Sequence, residues 1–119
     1  MDLEIALEQV GEGWSDLVNR YYDFLDVINC ACNADRKPDV VVTVVEVSRG
    51  MLRIVATHSN VLVDEMLHKL SWAIERDSAK FCEVCGEKGF RRKSLEGSPN
   101  RCQPHYIELL NRLADEGKI

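Results

Sequence analysis

No stretch of this sequence is long and apolar enough to span a bilayer. The longest apolar stretch is Val40-Val41-Val42-Thr43-Val44-Val45, far short of the roughly 20 residues a spanning helix needs. The start, MDLEIALEQV, has neither a basic n-region nor a long apolar h-region, so no secretory signal is expected and the protein is predicted to be cytoplasmic, with no membrane partner. Only three prolines occur, and no internal repeat or low-complexity tract interrupts the chain. Hydrophobic residues make up 45%, enough for a globular core rather than wholesale disorder. There is no glycine-rich phosphate loop. The His-x-Glu with a later Pro-Cys-x-x-Cys that marks zinc deaminases is also missing. These absences predict a protein that is not an enzyme.

What is present is 119 residues, the size of one domain. The expected class is α+β, in the order α-β-β-α followed by a zinc knuckle and a C-terminal helix. Residues 1–80 would form the α/β-hairpin core and 81–119 a zinc-stapled segment of the same single domain. After a short leader ending in Gly11-Glu12-Gly13, a first helix opens at Trp14. Leu17, Tyr21, Phe24, Leu25, Ile28 and Cys32 recur at helical spacing and are expected to face inward. Residues 33–38 read as a turn. A valine-rich strand over 39–47 and its return over 51–58 form a hairpin. With Arg49-Gly50 as a two-residue loop, Glu46 lies opposite Arg53. Val41, Thr43, Val45 and Val47 would then share a face with Leu52, Ile54 and Ala56.

A lone hairpin is marginal in water. Cover could come from a strand in the first ten residues, from helices, or from a second protomer, so a homodimer through the valine-rich hairpin is one expectation. A second helix, capped by Asn60, carries Val63, Met66, Leu67, Leu70, Ala73 and Ile74 inward. A third has Pro104 in its first turn and Ile107, Leu110, Leu113 and Ala114 inward, with Gly117 as its stop. Trp14 and Trp72 are expected in the core; an exposed tryptophan would point to a partner surface instead.

The five cysteines are an odd number, better suited to metal ligands and buried thiols than to a disulfide framework. Cys30 and Cys32 read as buried core thiols. The other three fall in FCEVCGEKGFRRKSLEGSPNRCQPHY, residues 81–106. A Cys-x-x-Cys turn brings two sulfurs to one point, and Cys82 and Cys85 have that spacing. Cys102 and His105 repeat it across a gap over 86–101, a usual length between two metal knuckles. The prediction is one structural Zn²⁺ held by Cys82, Cys85, Cys102 and His105, with no position left open for water. Such a site can supply on the order of 10 kcal/mol to a segment that folds around it. Nucleases of the His-Asn-His type place catalytic histidines between their cysteine pairs; this gap contains none.

Charge is unevenly spread. Residues 1–39 hold nine acids and three bases, whereas residues 81–105 hold three acids and five bases. Asp16, Asp23 and Asp26 could form an acidic face for a basic partner. Arg91, Arg92, Lys93 and Arg101 could offset the charge of the zinc site or contact phosphates, with Phe90 stacking on a base. A formal net charge of −5 makes long nucleic acid the less favoured partner.

The order Gly13-Trp14, Gly50-Met51-Leu52-Arg53, Cys82-Glu83-Val84-Cys85-Gly86 and Cys102 with His105 resembles a group of small bacterial and phage zinc-ribbon-containing proteins of uncharacterised function. Met51 departs from the Gly-Gly often found before Leu-Arg in that group. The resemblance implies a zinc-stapled α+β domain encoded by a phage or mobile element and working inside the bacterial host cell. The corresponding expectation is a non-catalytic protein that binds a protein partner and modulates or inhibits a host defence complex, such as a nucleic-acid-guided nuclease. The alternative is a nucleic-acid-binding zinc-ribbon regulator.

Overall fold

A computed structural model describes residues 1–32 and 40–119; the turn expected over 33–38, Asp39 and the side chain of Cys32 lie outside the described residues. The chain is α+β. Its elements run α1 (Leu3–Glu8), a 3₁₀ turn (Glu12–Trp14), α2 (Ser15–Cys32), β1 (Val41–Ser48), β2 (Met51–Thr57), α3 (Val61–Ser78), β3 (Phe90–Arg91), β4 (Asn100–Arg101) and α4 (Gln103–Asp115). β1 pairs antiparallel with β2, and β3 with β4, in two separate two-stranded sheets. Among the described residues no helix is long and apolar enough to cross a membrane.

The first ten residues form a helix, not a strand. Asp2 caps α1 by accepting from the Ile5 N–H at 2.9 Å, and α1 buries Ala6 completely. The Tyr22 hydroxyl donates to the Met1 carbonyl at 2.9 Å, which ties α1 to α2.

The hairpin turns at Arg49-Gly50 and places Glu46 opposite Arg53, with Arg53 Nη1 and Glu46 Oε1 3.0 Å apart. Both turn residues have positive φ, 53° at Arg49 and 76° at Gly50, as a type I′ turn requires. The inward face differs from simple alternation. Val42 pairs with Ala56 and Val44 with Val55, so Thr43 is an extra residue on β1. That bulge reverses the pleat: Val42 and Val45 both point into the core, and Val41 and Thr43 face out.

α3 covers the buried face of β2 and packs beside α2. Asn60 caps it, its side-chain oxygen accepting from Leu62 and Val63 N–H groups. The core joins Trp14, Leu17, Val18, Tyr21, Leu25 and Ile28 to Leu52, Ile54, Leu67 and Ile74. Tyr21 and Ser71 hydroxyls meet at 2.9 Å across the two helices. Two residues expected inside, Phe24 on α2 and Met66 on α3, are instead exposed. Each sits at the edge of its apolar stripe, where no element among the described residues buries it. On α4, Leu109 is buried while Ile107 and Ala114 are exposed, so its inward face is rotated from the expected one.

Candidate metal centre

Cys82, Cys85, Cys102 and His105 come together, their donor atoms all within 4.8 Å of one another. Cys85 Sγ and Cys102 Sγ are 3.7 Å apart. His105 Nδ1 lies 3.6 Å from Cys82 Sγ and 3.0 Å from Cys102 Sγ. A tetrahedron of thiolates around a zinc-sized ion has edges of about 3.8 Å, so the four donors fit one metal ion. Among the described residues, whose free thiols are Cys30, Cys82, Cys85 and Cys102, no disulfide competes for them.

Two knuckles build the site. In the first, the Gly86 N–H donates to the Cys82 carbonyl at 2.9 Å and the Cys82 N–H donates to Glu87 at 2.7 Å. In the second, β4 runs into α4, whose first turn holds Pro104 and swings His105 back to Cys102. Burial of Cys82 acts to raise its thiol. Backbone N–H groups of Cys102, Cys85 and Val84, with the Cys85 thiol, outweigh it and bring Cys82 down to about 6. The cradle therefore favours the thiolate, the form that ligates metal, at Cys82, while Cys85 is raised: the backbone N–H of Glu87 lowers it, but desolvation and the neighbouring Cys102 and Cys82 sulfurs outweigh that.

The lobe is bolted to the rest of the chain at three places. Gly13 lies against the first knuckle and its N–H donates to the Glu83 carbonyl at 3.0 Å; a Cβ there would stand 2.0 Å from the Cys82 oxygen. Beside it, Trp14 Nε1 donates to the Phe81 carbonyl at 3.0 Å. At the second place, the buried Asn100 Nδ2 reaches Gly50, Ser78 and Ala79 carbonyls at 3.2, 3.3 and 2.8 Å. At the third, Arg91 Nε donates to the Arg49 carbonyl at 2.8 Å. Ser78 Oγ extends this junction by accepting from the Leu52 N–H at 2.7 Å.

The basic residues of the lobe are largely engaged within the fold. Arg101 pairs with Glu83 at 3.0 Å, both mostly buried. Burial raises the Glu83 carboxyl above its ordinary range, although Arg101 and the Asn100 N–H act against it. Arg92 stacks 4.2 Å from the Tyr106 ring centroid and donates to the Arg101 carbonyl at 3.1 Å. Lys93 is exposed. Asp16, Asp23 and Asp26 are exposed along α2, and Asp16 lines a pocket with Glu12, Arg20, Cys85 and Glu87. The expected core role fails for two further residues: Cys30 is exposed, and Trp72 is 79% exposed. Asn100 and Ser78 carried no signal in the sequence, because the backbone groups they hold across this junction lie more than 20 residues away. No family model, curated protein or solved structure matches this chain.

Proposed function

We propose that this chain is a non-catalytic module stapled by one Zn²⁺, which acts by binding another protein. The observation that carries the proposal is where the metal cluster sits. Its four donors come from two knuckles that grip Gly13-Trp14, the hairpin turn and the end of α3, so its chemistry serves to hold parts together. Three sulfurs and an imidazole suit zinc over the hard cations magnesium and calcium. With four protein ligands the ion has no open position at which to activate water. The resemblance supplies the setting: a phage- or mobile-element-encoded protein whose target is a host defence complex.

The nucleic-acid reading has less support. Arg91, Arg92 and Arg101 are occupied by Arg49, Tyr106 and Glu83, so most of the cations that would meet phosphates already have partners. The test is affinity capture from a bacterial lysate with the intact zinc-loaded chain, alongside DNA and RNA binding over a salt series. Stoichiometric retention of one protein that survives nuclease treatment supports the proposal. Retention only of nucleic acid, lost as salt rises, overturns it.

A further inference from the structure

Trp72 stands in the middle of α3 with 79% of its surface in water. Lys69 and Arg76 sit three residues before it and four after, on the same side of the helix. Neither forms an ion pair among the described residues. Beside the indole lies an open groove of about 380 Å³, with Met51, Ala73 and Ala79 on its walls and Glu75 its single acid. The groove thus has an aromatic and aliphatic floor and two uncommitted cations at its rim. Tryptophan is the residue type most enriched among interface anchors. An isolated cation on an exposed helix gains little from any internal contact, but gains more when a partner's carboxylate meets it beside an apolar surface that excludes water.

We propose that this groove docks an acidic segment of a partner protein that carries a large apolar anchor. The anchor covers Trp72 and packs against Met51, Ala73 and Ala79, while carboxylates on either side of it pair with Lys69 and Arg76. This deepens the protein-binding proposal above and rests on it. A nucleic-acid strand suits the groove less well, because two cations neutralise few phosphates and Glu75 repels them. A second copy is the other candidate occupant, since the exposed Phe24 and Val27 on α2 stand beside Asp23 and Asp26.

The test is a random-peptide library displayed on phage, panned against the intact zinc-loaded chain, with each enriched peptide then measured on Trp72→Ala. Trp72 is so exposed that its truncation leaves the core untouched. The expected result is enrichment of net-acidic peptides bearing an aromatic or large aliphatic residue. A synthetic copy should blue-shift the exposed Trp72 emission, which is separable from that of buried Trp14. Its affinity should fall roughly tenfold or more in Trp72→Ala and in Lys69→Glu/Arg76→Glu. No enrichment, or enrichment of basic or uncharged peptides, overturns the proposal. Acidic peptides that bind Trp72→Ala equally well overturn the groove but leave the protein-binding proposal standing. Saturable binding of a single-stranded oligonucleotide that depends on Trp72 assigns the groove to nucleic acid and overturns it. So does concentration-dependent self-association lost in Trp72→Ala, which assigns the groove to a second copy.

Discussion

The indole N–H of Trp14 donates to the carbonyl oxygen of Phe81 at 3.0 Å, one residue before the first cysteine of the candidate metal cluster. Trp14 is fully buried at the head of α2, so one side chain belongs both to the core and to the metal lobe. Trp14→Phe keeps much of the apolar bulk but leaves the Phe81 carbonyl without its donor. We expect a loss of about 1–3 kcal/mol in unfolding free energy. Zinc should also leave faster under a chromogenic chelator, because the first knuckle loses a support. Denaturant titration and the chelator assay both check this; an unchanged midpoint with unchanged release would contradict it.

Asn100 is a second bolt. It is completely buried and its amide nitrogen is shared among three backbone carbonyls, from the hairpin turn and the end of α3. Asn100→Ala strands those carbonyls and should cost about 1–3 kcal/mol. Asn100→Asp faces them with a buried, uncompensated negative charge and should cost about 3–5 kcal/mol at neutral pH. The order of the two midpoints is the informative quantity. An aspartate variant as stable as the alanine variant would show that Asn100 does not donate to these carbonyls.

Arg49 holds φ 53° in the hairpin turn, a conformation that costs an ordinary L-residue about 1–2 kcal/mol and that asparagine adopts readily. The Arg91 contact uses the Arg49 carbonyl, not its side chain, so replacement leaves that bond intact. Arg49→Asn should therefore raise stability by roughly 1 kcal/mol, seen as a higher melting temperature. A lower melting temperature would mean that the exposed guanidinium holds the turn in a way the geometry does not show.

The parts of this fold that could be read from sequence are those fixed by neighbours along the chain. The Glu46–Arg53 register follows from a two-residue turn, the Asn60 cap from the residue just before a helix, and the Cys/His cluster from two short spacings. The rest depends on contacts distant in sequence. A single extra residue at Thr43 reverses the pleat of β1, and nothing in a run of valines marks it. Phe24, Met66 and Trp72 lie on or beyond the edges of apolar stripes, and whether such a position is covered depends on which neighbour packs there. The internal contacts of the basic loop, Arg91 with the Arg49 carbonyl and Arg101 with Glu83, are equally hidden in the sequence because those partners lie elsewhere in the chain. The motif pair Gly13-Trp14 could be noticed, but its purpose appears only when Gly13 meets the Cys82 carbonyl in space.

The account turns on the metal, and elemental analysis of the chain purified under reducing conditions tests it most directly. We expect one zinc per chain, its loss on acidification as protons displace it from thiolate and imidazole, and its loss in Cys85→Ser. Metal removal should also loosen Trp14 from the first knuckle, visible as a red shift of the buried tryptophan emission in a Trp72→Phe background. A chain that contains no stoichiometric zinc, or that keeps the Trp14 environment and its melting temperature after chelation, would contradict the account.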